Sequence, residues 1–255
     1  FQRYCGGGTA LPKYLAMGLA AAGLWNAQAE RPLTVWYSKG GVIRQENVTH
    51  ERWNVHAQLV VRKPVMTAAG GLYWGPGEGC IEAAGEREAV RMVLDGDAGT
   101  VMPRWDGVNL DDLAWVSYDV TSIPYHIRRN GDAGIIGVGG GRDLLTAVWA
   151  ASTSVSGIEI NGNFIDLLEG DLREFCALAE RDEVELIHDE ARSYLTRTDK
   201  RFDVLQMSLI DTWAATGAGA FTLSENGLYT LESWGVFLDV LKPRGVFSVS
   251  RWFDP

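Results

Sequence analysis

Residues Gly134–Asp143 read Gly-Ile-Ile-Gly-Val-Gly-Gly-Gly-Arg-Asp, an apolar run that opens directly into glycines. Gly134–Val138 has the length and composition of a buried strand. Gly137, Gly139 and Gly141 let the backbone turn tightly, approach a ligand and present N–H groups at a helix start, with Asp143 in the first turn. As a dinucleotide fingerprint of the form G-x-G-x-x-G the segment fails at its sixth position, which is Arg142, and this disfavours a nicotinamide oxidoreductase. The pattern G-x-G-x-G fits.

The flanking sequence supports the same reading. A helix is expected over Arg142–Ala151, a second strand over Ser154–Ile160 and a long amphipathic helix over Phe164–Ala179. Strands follow at Val184–His188 and Phe202–Met207. Thr222-Leu223-Ser224-Glu225 has capping-box spacing and predicts a helix to about Leu241; Lys242–Gly245 reads as a turn and Val246–Trp252 as a fifth strand. Strand and helix alternating in this way predict an α/β fold, a doubly wound, mostly parallel sheet. Ligands of such sheets bind at the carboxyl ends of the strands.

Those strand ends carry suitable groups. Glu159, with Ile160 beside it, ends the second strand about twenty residues past the glycines, where a carboxylate accepts from both ribose hydroxyls. Asp189 and Glu190 follow the third strand, where an acid can take an adenine amino group or cap a helix. Asp211 follows the fourth, where a reacting group would stand.

The preceding residues have a different texture. Leu33–Ser38, Val42–Val48, His56–Arg62 and Ala89–Leu94 are short β-rich runs separated by turn signals, and predict a small antiparallel β region. A helix at Leu113–Arg128 is expected to be interrupted at Pro124. The organisation expected is therefore an N-terminal segment 1–32 with a short apolar helix, a β-rich region and linking helix 33–130, and a cofactor domain 131–255.

Composition excludes several classes. With 255 residues, 46% hydrophobic and 22% charged, the chain is globular rather than disordered. Its net charge of −10 argues against nucleic acid as partner, because a phosphate backbone needs a basic footprint. Cys5, Cys80 and Cys176 are odd in number and widely spaced, and no His motif has ligand spacing, so neither a disulfide framework nor a metal is expected, and a reducing, cytoplasmic compartment fits. The apolar stretch Leu15–Trp25 is too short to span a bilayer. It reads as a packed or interfacial helix, or as the tail of an upstream membrane segment. The chain opens at Phe1 and stops after its fifth strand, which gives it a fragment-like reading.

A family resemblance sits on these motifs. Gly134–Trp252 resembles the spermidine synthase (polyamine aminopropyltransferase) family, in particular its bacterial synthase-like branch, which has the S-adenosylmethionine-dependent methyltransferase fold. The segments that carry it are IIGVGGGRDLL, SGIEIN, HDEARSYL, RFDVLQMSLIDTW, FTLSENGLY and LKPRGVFSVSRW, with weaker matches in ERWNVHAQLVV, MVLDGDAGT and SYDVTSIPYHI. The resemblance implies S-adenosylmethionine or its decarboxylated form as cofactor, without a metal, and aminopropyl transfer to a small-molecule amine. It would place Gly137, Gly139 and Gly141 along the methionine-side tail, Glu159 at the ribose, Glu190 or else Asp189 at the adenine, and Tyr118, Asp119 and Tyr229 near the substrate. The family's D-S-S-D-type segment aligns with Ser208-Leu209-Ile210-Asp211: the second Asp is present, and Ser208 stands at the first position. A hydroxyl is neither a carboxylate base nor a full counter-charge. Two alternatives therefore stand beside aminopropyl transfer: an S-adenosylmethionine-dependent methyltransferase, and a non-catalytic adenosyl-ligand-binding domain of a membrane-associated protein. A homodimer is the oligomer considered.

Overall fold

The computed structural model describes residues 10–28, 35, 37–38, 41–68, 71–96, 98–210 and 225–251. They fall into two compact units, Phe1–Ile43 and Arg44–Pro255. In the first unit, helix α1 (Ala10–Gln28) extends beyond the predicted apolar stretch and exposes Leu15, Leu19, Leu24 and Trp25. Strands β1 (Tyr37–Ser38) and β2 (Gly41–Val42) pair as a hairpin. No helix among the described residues is long and apolar enough to cross a membrane.

The second unit begins with an antiparallel sheet of β3 (Val48–Trp53), β4 (Gln58–Arg62), β5 (Val65–Ala68), β6 (Glu86–Leu94) and β7 (Ala98–Pro103), with the short helix α2 (Cys80–Ala84) between β5 and β6. The expected antiparallel region is present, with corrected boundaries. The predicted Val42–Val48 strand gives way to a 3-10 turn at the polar Gln45–Asn47, and the strand starts at Val48. Strand β4 begins at Gln58 because the Asn54 side chain accepts from the amides of His56 and Ala57 and holds them in a turn. β5 and β7 lack strong alternation and were not expected. The linking helix is broken further than Pro124 alone predicts. Residues Asp111–Tyr118 and Val120–Ser122 are 3-10, and α3 (Ile123–Ile127) takes Pro124 in its first turn.

Among the described residues, β8 (Asp132–Ile136), β9 (Ser154–Glu159), β10 (Val184–His188), β11 (Phe202–Ser208) and β12 (Leu241–Ser250) form a parallel sheet in the order β10-β9-β8-β11-β12. The order reverses between β8 and β11, beside the glycine loop. Alternate residues feed two cores: Ala133 and Ile135 join Leu144, Leu145 and Val148 of α4 (Arg142–Trp149), whereas Ile136 joins Ala191 and Leu195 of α6 (Ala191–Arg197) and Phe237 of α8 (Leu231–Asp239). Helices therefore cover both faces, as the strand–helix alternation predicts.

The predicted helix Phe164–Ala179 is corrected. α5 (Gly162–Asp166) passes into a π turn at Leu167–Asp171, and Gly170 (φ −117, ψ −106) ends it. Gly170 and Asp171 weaken helix propensity there. Residues Thr222–Ser224 of the predicted capping box lie outside the described residues. α7 (Glu225–Leu228) precedes α8, and the Thr230 side chain caps α8 by accepting from the Ser233 amide.

The predicted turn Lys242–Gly245 is instead a bulge inside β12, with Arg244 at φ 66. It sends Lys242 Nζ to Asp132 at 2.6 Å and Asp203 at 2.8 Å, clamping three neighbouring strands at one end of the sheet. Burial alone would raise both carboxyls, but the Lys242 ammonium outweighs it and holds them below their ordinary range. Carboxyls depressed in the fold stabilise it above their unfolded values near 4, and this is lost as pH falls through the folded values. Lys242→Met is expected to cost roughly 1 kcal/mol at neutral pH for these partly exposed pairs. The deficit should shrink as pH falls below the unfolded values and through the folded ones, where the carboxyls lose their charge. Urea denaturation at neutral and at acid pH checks this, and a pH-independent deficit would contradict it.

Candidate active site

The loop after β8 needs its glycines. Gly137 and Gly141 have φ of 84, the left-handed region in which a Cβ is strained. At Gly140 a Cβ would stand 2.5 Å from the Val101 carbonyl oxygen, because β7 lies directly against the loop. The loop amides are turned inward. Val138 and Gly139 donate to Glu159 Oε2 at 2.9 and 3.1 Å, Gly140 to Thr100 Oγ1 at 3.2 Å, and Gly141 to the Val138 carbonyl at 2.9 Å. What the loop offers a ligand is close backbone approach more than free N–H groups.

Glu159 is the centre of this arrangement. It ends β9 beside the loop and is 7% exposed. Besides the two loop amides on Oε2, its Oε1 accepts from the Asn161 amide at 2.9 Å. Burial pushes the carboxyl above its ordinary range, and the amides of Asn161, Gly139, Val138 and Ile160 oppose that push. Asn161 caps α5, and its Oδ1 accepts from Asn54 Nδ2 at 2.6 Å. Asn54 thus ties the antiparallel sheet to the Glu159 corner, a role beyond what its sequence context indicates.

At the end of β10, Glu190 caps α6. Its Oε1 accepts from the Arg192 amide, and its Oε2 from the Ser193 amide and hydroxyl. Burial raises this carboxyl, but the Ser193 hydroxyl and the two amides outweigh it and hold it below its ordinary range. Asp189 accepts from the Glu190 amide at 2.9 Å and pairs with Arg197. Capping is the role on display for Glu190, and a carboxylate oxygen that accepts one bond keeps a second lone pair.

At the end of β11, Ser208 Oγ accepts from Gln206 Nε2 at 2.9 Å. The chain then turns through Leu209 at φ 50, a left-handed conformation unusual for a branched side chain. Asp211 lies outside the described residues.

Arg142, an argument against a dinucleotide loop in the sequence, has a structural task. Its guanidinium, 7% exposed as a residue, donates to Asp119 Oδ2 at 2.7 Å and approaches Asp143 Oδ1 at 3.5 Å. It also lies 5.0 Å from the centre of the Trp74 ring. Burial lowers its pKa, and Asp143 and Asp119 oppose this. Asp119 in turn accepts from the amides of Trp74, Gly75 and Thr121 and from the Thr121 hydroxyl. Asp119 and Asp143 are therefore brought together, and Asp119 is occupied in fixing the linker to the start of α4. Its assignment to a substrate pocket competes with that work. Tyr118, whose ring lies against Gly79, and Asp119 both border an open hollow of about 460 Å³ with Pro76, Ser117 and His126. Tyr229 packs under the Arg251 guanidinium at 4.3 Å, against the second core. Among the described residues no cluster of three His, Cys, Asp or Glu could hold a metal.

No protein-family model matches the chain, and no curated protein matches it. Solved structures do. A spermidine synthase solved with the transition-state analogue AdoDATO matches at TM-score 0.51 and 18% identity, over 80% of this chain and 57% of that one. The spermidine synthase of Thermotoga maritima matches at TM-score 0.50 and 16% identity, over 80% and 55%. The chain thus spans a little over half the length of these two proteins. At such identities the likeness is one of fold. The class so defined is the mixed α/β fold of the S-adenosylmethionine-dependent methyltransferase type, preceded by a separate antiparallel sheet.

Removing the buried guanidinium would leave Asp119 and Asp143 without a counter-charge. Arg142→Met is expected to cost about 3–5 kcal/mol. Arg173→Met, which breaks the half-exposed pair with Glu180, should cost less than about 1 kcal/mol. Denaturant midpoints of the two variants check the contrast, and equal losses would contradict it.

Proposed function

We propose that this chain is a transferase that binds S-adenosylmethionine or its decarboxylated form and transfers an aminopropyl group to a small-molecule amine. The observation that carries the reading is Glu159, a buried carboxylate at the end of the second strand, lying on the glycine loop at the point where the strand order reverses. The residues fit an adenosyl ligand. Oε1 of Glu159 accepts the Asn161 amide, with the Ile160 amide also acting on the carboxylate, and a ribose hydroxyl would share this acceptor. Glu190, or Asp189 beside it, would receive the adenine amino group, and Gly137, Gly139 and Gly141 would border the tail.

When bound, the sulfonium supplies an electrophilic carbon and a good leaving group. The protein's part is to align the amine with it, exclude water and receive a proton. Asp211 would hold the amine's charge. A second reading, methyl transfer from S-adenosylmethionine, is favoured by Ser208, which leaves the end of β11 without the carboxylate that an aminopropyl acceptor site would use. We place the protein in the cytoplasm, where the buried free thiols Cys80 and Cys176 stay reduced. A homodimer and membrane association through an upstream segment belong to the same proposal.

Calorimetry with S-adenosylmethionine and with the decarboxylated cofactor tests the reading. We expect binding, weakened by about 1–3 kcal/mol in Glu159→Ala, the scale of a lost charge-assisted hydrogen-bond pair. Unchanged affinity would show that Glu159 is not the ribose acceptor. Asp211→Asn should abolish release of the thioether nucleoside while leaving cofactor affinity within about threefold, a shift below 1 kcal/mol. Full turnover by that variant would remove Asp211 from the site.

A further inference from the structure

The turn that follows Glu159 holds a carboxamide whose orientation the backbone dictates. Asn161 is 4% exposed; its N–H donates to Glu159 Oε1 at 2.9 Å, and its Oδ1 accepts from the Asn163 amide at 3.1 Å. A backbone N–H can bond only the oxygen of a carboxamide, so Oδ1 and Nδ2 of Asn161 are told apart. Asn54 is fixed in the same way. Its Oδ1 accepts from the amides of His56 and Ala57 at 2.9 and 3.1 Å, so the group that reaches Asn161 Oδ1 at 2.6 Å is its Nδ2. Asn161 Oδ1 therefore has both lone pairs engaged, and its Nδ2 stands on the other branch of the amide.

Among the described residues, nothing accepts from Asn161 Nδ2. The atom is not one of those sealed from solvent without a partner, so it reaches the surface of the corner. Two positions on, Asn163 Nδ2 is sealed and also lacks an acceptor. One turn beside a buried carboxylate thus carries two amide donors that the protein leaves unused, and a buried polar group without a partner calls for a reason. The turn is also held still. The His188 ring ends β10 opposite Glu159 in register and lies so close to Gly162 that a Cβ there would stand 2.6 Å from it. Asn54 braces Asn161 from the antiparallel sheet. A donor pinned from two elements needs little ordering when a ligand arrives.

We propose that Asn161 is a specificity-determining residue: its Nδ2 donates to a ribose hydroxyl oxygen while Glu159 accepts a hydroxyl proton of the same sugar, so that the corner selects a ribonucleoside over its deoxy forms. The proposal rests on the reading of Glu159 as the ribose acceptor. A hydroxyl is donor and acceptor at once, whereas a carboxylate only accepts. Glu159 alone therefore satisfies one half of what a vicinal diol offers. The Asn161 N–H already lies on Glu159 Oε1, which puts the free carboxamide nitrogen a short side chain's length from that oxygen. It supplies the donor half. Asn54 acts through Asn161 as a positioning residue, because without its Nδ2 the Asn161 amide keeps only the Asn163 bond.

Calorimetry with methylthioadenosine, the neutral part common to both cofactors, and with its 2′-deoxy and 3′-deoxy forms tests the proposal. Asn161→Asp keeps the shape, the helix cap and the acceptor for Asn54, and exchanges the donor for an acceptor. Asn161→Ser keeps a cap and withdraws the carboxamide. Each should weaken binding of the parent nucleoside roughly fivefold or more. The loss should shrink to less than about twofold for the deoxy form that lacks the contacted hydroxyl, an outcome that a merely structural role would not produce. Asn54→Ala should give a smaller loss with the same dependence on that hydroxyl. In NMR spectra the Asn161 side-chain amide signal, assigned by its absence in Asn161→Asp, should move with the parent nucleoside and stay in place with that deoxy form. Equal losses for all three nucleosides would mean that Asn161 only shapes the turn; this overturns the proposal and leaves the adenosyl reading standing. Unchanged affinity in both Asn161 variants does the same. No binding of methylthioadenosine by the folded wild-type protein overturns the proposal, and if S-adenosylmethionine and its decarboxylated form also fail to bind, the adenosyl reading falls with it.

Discussion

The Glu159 carboxylate fixes the part of the molecule on which everything else is built. A buried carboxylate is costly unless hydrogen bonds surround it, and here the amides of Val138, Gly139 and Asn161 do so. The same bonds hold the glycine loop in its left-handed turns and the first turn of α5 against the end of β9. One charge thus ties together the ends of two adjacent strands. A ligand reaching this corner meets an acceptor whose orientation is already set, so little ordering remains for binding to supply.

Arg142 does for the second face of the loop what Glu159 does for the first. It joins α4 to the linker through Asp119, and Asp119 holds the amides of Trp74 and Gly75. The loop between β5 and α2, the linker and the start of α4 meet in this one buried ion pair. Such pairs add little net stability over apolar packing but punish loss of one member. This gives the arrangement a definite geometry beside the end of β11, where Gln206 joins Ser208 to the linker.

The parallel sheet was legible because each of its strands is a short apolar run bounded by turn residues, and because Glu159, Asp189 and Ser208 fall at strand ends by simple count. The β7 strand, Ala98–Pro103, was missed because it is short and carries glycine, although it pairs with the neighbouring β6 and the Asp95-Gly96 dipeptide before it is a local hairpin signal. Gly170 is visible in the sequence, but the break it makes in the predicted Phe164–Ala179 helix depends on packing. In the site, residue types and order were legible and their partners were not. Asp119 looked like a substrate acid and is held by Arg142. Asp143 looked like a loop acid and lies against Arg142. Glu190 was ambiguous between adenine and cap, and it caps α6 through residues two and three positions on. The Asp119–Arg142, Gln206–Thr121 and Asn54–Asn161 contacts join residues 23, 85 and 107 positions apart, and sequence spacing carries no information about them.

The fold is shared with spermidine synthases at low identity, and the proposed activity turns on whether the loop holds an adenosyl ligand. A crystal structure with S-adenosylhomocysteine, a stable thioether analogue of the cofactor, tests this most directly. The account predicts density above Gly137–Gly141, with the ribose hydroxyls on Glu159 and the adenine beside Asp189 and Glu190. A folded, crystallised protein with the ligand bound elsewhere, or with none at saturating concentration, would contradict it.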